Sequence, residues 1–178
     1  MDYTVEIKEL GRKTYLGFGR DHDFEGSIEK ELELWDLCSK DGTIDKLRTL
    51  TKTDNVYGLF CYRYDVTSNR FSYHIACEVS DDCSNENAEF ETLFLHSSAY
   101  AVFRIEVDGS LPKKHAYEKI NDIIWIEWLP NSGYISMIEP ETNASIAGTA
   151  AINIFTPFDI NADKFIMEIW LPITQKAV

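Results

Sequence analysis

The sequence predicts an α+β fold built from two copies of a strand-helix-strand-strand unit. The main observation is an internal repeat: residues 64–75 (YDVTSNRFSYHI) align without a gap with residues 158–169 (FDINADKFIMEI). Three pairs of positions in this alignment are identical: Asp65 and Asp159, Phe71 and Phe165, and Ile75 and Ile169. A weaker repeat relates YLGF at 15–18 to YAVF at 100–103. Two such copies should form one antiparallel sheet, with two main helices around a central ligand cleft.

The first copy shows the hydrophobic periodicities of both strand and helix. Its strands are predicted at 3–8, 14–20, 56–64 and 71–80. A helix is predicted over 24–39, because Ile28, Leu32 and Trp35 fall at i, i+4 and i+7. Residues 43–55 are polar and predict a connection that contains about one helical turn.

The second copy repeats this order after a polar segment. Residues 81–89 (DDCSNENAE) resemble a linker and divide a single domain, residues 1–178, into halves at about 1–81 and 90–178. Strands are predicted at 90–95, 98–107, 134–139, 151–158 and 165–173. A second helix should begin at Leu111-Pro112 and end before Pro130.

Composition excludes several classes of function. The net charge of −13 disfavours contact with phosphate backbones, so we expect no direct nucleic-acid binding, and no helix-turn-helix pattern is present. Neither a signal peptide nor a membrane-spanning apolar stretch is apparent. The four cysteines form no CxxC pair, which favours a reducing cytoplasm. The four histidines are scattered, and the sequence predicts neither a metal site nor a cofactor.

The strongest candidate functional residue is Glu168. It interrupts FIMEIWLPI, a run that is otherwise apolar, and an unpaired carboxylate in such surroundings is costly. Strand alternation places Glu168 on the face opposite Phe165 and Ile169, and His74 occupies the matching position in the first copy. The alternative is a solvated outer face of an edge strand, which nearby Pro172 would suit.

Other charged and aromatic residues carry weaker signals. Glu29, Glu31 and Glu33 alternate along the first helix, and we expect them on a solvated helix face. Trp35 and Trp125 are favoured as core residues, although a ring can serve both a core and a cleft.

Several segments resemble the gyrase-inhibitor-like (GyrI-like) effector-binding family, in its stand-alone, integron-cassette branch. They are VEIKELGRKTYLGF (5–18), ELWD (33–36), YGLFCYRYDVTSNRFSYHIACEVSD (57–81), SSAYAVFRIEVDGSLP (97–112), EWLPNSGY (127–134) and MEIWLPI (167–173). The resemblance covers nearly the whole chain in the right order.

The resemblance implies a cleft that binds amphipathic, often cationic, small molecules through aromatic rings and a glutamate of the last strand. That glutamate matches Glu168. The candidate ring contacts are Trp170, Trp125, Trp35, Tyr62 and Phe18, with His74 as a further ligand-binding residue. In AraC-type and MerR-type regulators such a domain is fused to a DNA-binding part, which this sequence lacks.

Three functions remain open on the sequence. The favoured one is a binding protein for a lipophilic cation. The second is a hydrolase of strained electrophiles, with Glu168 as general base and His74 assisting. The third is an inhibitory module whose acidic surface contacts a protein partner such as gyrase. The natural ligand and the oligomeric state are left undetermined.

Overall fold

The computed structural model describes residues 2–65, 67–80, 88–109, 111–138, 148–157 and 162–176. It confirms the predicted α+β class, with three α-helices and one antiparallel sheet of nine strands in these residues. The strands are β1 Tyr3–Leu10, β2 Lys13–Asp23, β3 Tyr57–Asp65, β4 Arg70–Val79, β5 Glu91–Leu95, β6 Ser98–Val107, β7 Tyr134–Ser136, β8 Ala151–Thr156 and β9 Phe165–Gln175. The helices are α1 Ser27–Lys40, α2 Thr43–Thr51 and α3 Lys113–Asp122.

The strand order is symmetric about the centre of the sheet. It runs β1-β6-β9-β8-β3-β4-β2-β5, with β7 attached to β9. The two repeated hairpins, β3–β4 and β8–β9, therefore meet at the centre through the β3–β8 pair. At each end of the sheet, the first strand of one copy pairs with a strand of the other copy: β1 pairs with β6, and β5 pairs with β2.

The short links between the exchanged strands require a strongly curved sheet. Six strand spacings separate β1 from β2 in the order, about 29 Å in a flat sheet. The link between these strands is only Gly11-Arg12, which spans about 11 Å at most. His96-Ser97 joins β5 to β6 under the same constraint. Both ends of the sheet must therefore bend toward each other.

The two faces of the sheet carry separate cores. The helix face packs α1, α2 and α3 against Phe71, Ile75, Phe165 and Ile169. The repeated Phe and Ile positions therefore share the face of the sheet that packs against the helices. The far face, away from the helices, has a smaller core that includes Tyr15 and Tyr100, the first residues of the weaker repeat, and only strand and loop residues.

The helices differ in part from the prediction. Residues 43–51 form a full helix, α2, in place of the single turn expected in the connection, because buried Ile44 and Leu47 anchor it to the core. The second predicted helix is α3, which continues as a π-helical turn over Ile123–Trp128 and a 3-10 turn over Leu129–Asn131. Pro130, which has no N–H to donate, lies where the helix ends.

Cys38, Cys61 and Cys77 are buried free thiols. Three sequence predictions lie outside the described residues, at least in part: the linker at 81–87, the repeated turn at 158–161, and Glu139, the last residue of the strand predicted at 134–139. No described helix has the length and apolar composition needed to cross a membrane.

Candidate functional site

A cavity of about 380 Å³ lies between α1, α3 with its π-helical turn, and the helix face of the sheet. Most of its walls are apolar because α1 and α3 turn their hydrophobic sides toward the sheet. The lining residues are Phe24, Ser27, Ile28, Glu31, Phe60, Tyr117, Asn121, Ile124, Trp125, Ile138, Ala151, Asn153, Ile169 and Leu171. A concave, mostly apolar space with a few polar groups is typical of small-molecule sites.

Glu31 is the one acidic residue among the described lining residues of this cavity. The expectation of a solvated position for Glu31 is wrong, since the residue is 1% exposed. The buried residues of α1 are Glu31, Leu34, Trp35 and Cys38, the i, i+3, i+4, i+7 pattern of one helix face. Helix geometry thus places this carboxyl on the most buried stripe, whereas Glu33 is exposed.

A chain of hydrogen bonds links Glu31 to four other residues, one each on α3, β8, β4 and α1 itself. The Tyr117 hydroxyl of α3 donates to Glu31 Oε2 at 2.7 Å. Asn153 Nδ2 on β8 donates both to the Tyr117 hydroxyl oxygen and, at 3.3 Å, to that of Tyr73 on β4. Trp35 Nε1 also donates to the Tyr73 oxygen, at 2.8 Å. We call these five residues the Glu31 network.

Burial decides the protonation of the network. Desolvation raises the pKa of Glu31 to about 8, although the hydrogen bond from Tyr117 acts in the opposite direction. Burial likewise raises the pKa values of Tyr73 and Tyr117, and the nearby Glu31 adds to both shifts. At neutral pH the carboxyl of Glu31 is therefore mainly protonated in the empty cavity.

The network is positioned by the central strand pair of the sheet. Asn153 of β8 lies opposite Gly58 of β3. A Cβ at Gly58 would lie 2.0 Å from the hydroxyl oxygen of Tyr73 and 3.2 Å from the Trp35 ring. Gly58 therefore provides the space in which the Tyr73 hydroxyl reaches Asn153.

Aromatic rings line the cavity beside Glu31. Phe24, from the turn before α1, has its ring centroid 6.4 Å from that of Phe60 on β3, and both line the cavity. Trp125, from the π-helical turn, is a further ring of the lining. Such rings can contact apolar groups through their surface and a cation through their π face.

The structure places Glu168 on the opposite side of the sheet from this cavity. Alternation along β9 turns Met167, Ile169 and Leu171 to the helix face, so Glu168 lies on the far face and does not line the cavity. Its side chain is 20% exposed and lies 3.2 Å from Arg104 Nη1, its cross-strand neighbour on β6. Trp170 Nε1 donates to Glu168 Oε2 at 2.9 Å. A cationic partner thus already compensates this carboxylate.

His74 and Tyr62 also lie on the far face. His74 is buried, and its Nε2 lies 3.3 Å from Glu91 Oε2 and 3.4 Å from Arg63 Nη2. Burial lowers the pKa of His74, which keeps the imidazole mainly neutral at pH 7. The Tyr62 ring centroid is 5.7 Å from that of His74. His74 and Glu168 therefore have different hydrogen-bond partners.

The remaining ring candidates are distributed over both faces. Trp125 lines the cavity. Trp35 is fully buried behind it and belongs to the Glu31 network through Tyr73. Trp170 packs on the far-face core, with Lys8 Nζ 5.2 Å from its ring centroid. Phe18 packs against the helix-face core without lining the cavity.

Sequence reasoning missed Glu31, Tyr117 and Asn153 as site residues. The available signal was the position of Glu31 three, four and seven residues before Leu34, Trp35 and Cys38, which makes it part of a buried stripe. For Asn153 the signal was a polar residue within the otherwise apolar strand AINIF. Each is weak alone, because the contact that unites them joins residues far apart in sequence.

A cavity of this size and apolar lining is typical of a small-molecule-binding protein. The profile of the Cass2 family, described as integron-associated effector binding protein, matches residues 6–173. The chain belongs to this family. Among curated proteins none is significantly similar in sequence.

Solved structures with the same fold include three that cover nearly all of this chain. SAV2435 bound to tetraphenylphosphonium has a TM-score of 0.68 and 21% identity, over 98% of this chain and 94% of that one. A putative transcription regulation protein from Staphylococcus aureus MU50 has a TM-score of 0.64 and 20% identity, over 98% of this chain and 99% of that one. The integron cassette protein VCH_CASS2 of Vibrio cholerae has a TM-score of 0.52 and 16% identity, over 96% of this chain and 95% of that one. At these identities the similarity establishes the fold.

Proposed function

We propose that this protein binds a lipophilic organic cation in the helix-side cavity, with the carboxylate of Glu31 as the counter-charge. The observation that carries the proposal is a fully buried glutamate in an apolar cavity whose described lining contains no lysine, arginine or histidine. A buried carboxylate without a positive partner is strongly disfavoured, so a cation of matching size gains a partner there.

The rest of the cavity suits the apolar part of such a ligand. Its volume of about 380 Å³ lies in the range of small-molecule sites. Phe24, Phe60 and Trp125 offer ring surface beside the carboxyl, which combines cation–π contact with charge pairing. The net charge of −13 attracts cations to the protein as a whole.

Two comparisons support the same proposal. The family is one of effector-binding proteins, and SAV2435, which shares the fold, was solved with the lipophilic cation tetraphenylphosphonium. The proposal transfers this ligand class, and not the individual ligand, to the present chain.

The test is an isothermal titration at pH 8.5, above the pKa of Glu31. The titrants are tetraphenylphosphonium, the smaller benzyltrimethylammonium, and the neutral triphenylphosphine oxide. We expect a cation to bind the wild type, and Glu31→Gln to weaken it roughly 10- to 150-fold. This is the loss of a charge-assisted contact worth about 1.5–3 kcal/mol. Affinity for the neutral titrant should change little.

Two matched variants complete the experiment. Glu33→Gln makes the same chemical change on the exposed side of α1 and should leave the affinity unchanged. Glu168→Gln tests the glutamate that the sequence favoured. The proposal fails if neither cation binds, or if Glu168→Gln rather than Glu31→Gln removes the binding.

A further inference from the structure

We propose that the cation enters the cavity in exchange for the proton of Glu31, so that each binding event releases one proton to solvent. This inference rests on the proposed function and adds a property to it: the affinity for cations is set by pH through a single carboxyl. A permanently charged ligand would then be favoured as pH rises, and a neutral ligand of the same shape would not.

The surroundings of Glu31 establish which form of the carboxyl is stable when the cavity is empty. Ile28, Ile124, Ile169 and Leu171 supply apolar walls from α1, the π-helical turn and β9. Among the described residues, the titratable groups that face Glu31 are Tyr117 from α3 and Tyr73 from β4, and neither carries a positive charge. Without a cation nearby, burial favours the protonated acid.

Several charged groups on the outer surface of α1 and α3 are already paired. Glu29 of α1 forms an ion pair with Lys114 of α3, and Lys114 Nζ also lies 3.6 Å from Glu118. Lys30 lies 3.6 Å from Asp23. These side chains are between about two-fifths and two-thirds exposed, so solvent screens them from the buried carboxyl.

The released proton has no acceptor within the network. Tyr117 and Tyr73 are neutral phenols whose pKa values are raised, and Asn153 and Trp35 do not titrate near neutral pH. When a cation pairs with Glu31, the carboxyl O–H bond breaks, the electron pair stays on the carboxylate, and the proton passes to water. The balance is one cation bound and one proton lost.

The hydrogen bonds are arranged to accept this change without rearrangement. Asn153 donates to the Tyr117 oxygen, and the Tyr117 hydroxyl donates to Glu31, so both donors point toward the carboxyl. Donors that point at a carboxylate stabilise its charged form. The cation supplies the remaining charge compensation, and the same contacts serve both protonation states.

The expected pH dependence follows from the pKa of about 8. Only the ionised fraction of Glu31 binds the cation, so the apparent affinity should rise about ninefold from pH 6 to 7 and only about twofold from pH 8 to 9. Near pH 7 about 0.9 protons should be released per cation bound. Glu31→Gln should release none and should bind with an affinity that does not depend on pH.

The test is calorimetric titration of tetraphenylphosphonium at pH 7 in phosphate and in Tris, which differ in enthalpy of ionisation. The slope of the binding enthalpy against that ionisation enthalpy counts protons. A Kd series from pH 6 to 9 accompanies it, with Glu31→Gln as the test variant and Glu33→Gln as the matched control. Infrared difference spectra give an independent readout, since binding should remove a protonated carboxyl band in the wild type and in Glu33→Gln.

Each result has a defined meaning. Tight binding with no proton release and a flat Kd series overturns this inference and leaves the proposed function intact. Proton release that persists in Glu31→Gln also overturns it, because another group is then the source. No binding at any pH overturns the proposed function itself. Glu31→Gln is isosteric with the neutral acid, and circular dichroism of the variant verifies that it folds.

Discussion

Glu31 of α1 and Glu168 of β9 both lie in elements that pack against the cores of the protein, but the fold stabilises the two glutamates in different ways. Glu168 on the far face lies next to Arg104 and accepts a hydrogen bond from Trp170. Glu31 on the helix face lies in an apolar cavity and accepts a hydrogen bond from the neutral Tyr117 hydroxyl, and burial raises its pKa to about 8, which favours the protonated acid at neutral pH. Among the residues that the structure describes, Glu168 has a cationic partner and Glu31 does not.

The comparison shows why burial alone does not identify a ligand site. A half-buried carboxylate with a cross-strand arginine is satisfied by the fold and gains little from a further cation. A buried carboxyl among apolar groups favours its neutral form, because burial penalises the charge, and a bound cation would favour the ionised form. The absence of a positive partner among the described lining residues, rather than the presence of an acid, marks the helix-side cavity.

The largest effect should come from removing the space that the Glu31 network occupies. Gly58→Ala would place a Cβ 2.0 Å from the Tyr73 hydroxyl oxygen, in the middle of a buried contact. We expect the free energy of unfolding to fall by about 2–4 kcal/mol, from overpacking and broken hydrogen bonds. Cation affinity should fall with it. Urea denaturation measures the first effect and titration calorimetry the second.

Two glycine controls separate the network from general packing. A Cβ at Gly11 meets nothing within 4 Å, so Gly11→Ala should change stability by no more than about 0.5 kcal/mol. A Cβ at Gly19 would lie 2.2 Å from the His74 ring on the far face, so Gly19→Ala should destabilise the protein yet spare cation affinity in the molecules that fold. Equal loss of affinity in both destabilised variants would remove the distinction between the two faces.

The second effect is the contribution of Glu31 to the pH dependence of stability. Its pKa is about 8 in the folded protein against 4.5 in the unfolded chain, so the folded state holds the proton more tightly. That stabilisation is complete below about pH 4.5 and is lost as pH rises through about 8. Between pH 6 and 8 the wild type should lose up to about 1.4 kcal/mol per pH unit relative to Glu31→Gln.

Denaturation curves of both proteins at several pH values measure this difference, and Glu168→Gln serves as the comparison. The difference between wild type and Glu168→Gln should stay constant over the same window, because Arg104 keeps its charge throughout. A constant difference for Glu31→Gln as well would mean that Glu31 is ionised in the empty cavity.

Much of the fold was predictable from the sequence because strand and helix periodicities are local. The bounds of β6, Ser98–Val107, agree with the prediction, and the Phe and Ile positions of the repeat do face the helices. The exchange of β1 and β5 between the two halves was not predicted, because it depends on pairing between residues about 100 positions apart. The division into halves at residues 81 and 90 stays a prediction.

The site was less accessible to the same reasoning, for a geometric cause. Alternation correctly placed Glu168 opposite Phe165 and Ile169, but a cavity between the helices and the sheet must lie on the side of those two residues. Glu31 was grouped with Glu29 and Glu33 by composition, although a helix turns residues two apart by about 200°. Because Glu31 shares a helix face with Leu34 and Trp35, which are buried, it is buried as well, whereas Glu33 is exposed.

A smaller effect should follow removal of the hydroxyl that touches Glu31. Tyr117→Phe deletes the donor at 2.7 Å and leaves Asn153 without one of its acceptors. We expect about 1–2 kcal/mol less stability and, at pH 7, about fivefold weaker cation binding, because the pKa of Glu31 rises further. Tyr64→Phe is the control, since its hydroxyl donates to Asn69 at an exposed turn and should matter little. Unchanged affinity in Tyr117→Phe would exclude this hydroxyl from the site.

The smallest expected effect concerns the ion pair between Glu168 and Arg104 on the far face. The Arg104 side chain is 45% exposed, so replacing Glu168 by Gln should cost no more than about 1 kcal/mol, and less as salt increases. A double-mutant cycle with Arg104→Gln measures the coupling between the two residues. A coupling of several kcal/mol that ignores salt would show that Glu168 depends on its partner as strongly as a buried carboxylate does. The contrast with Glu31 would then rest on the identity of the partner, a fixed arginine against a proton that a ligand can displace, and no longer on the depth of burial.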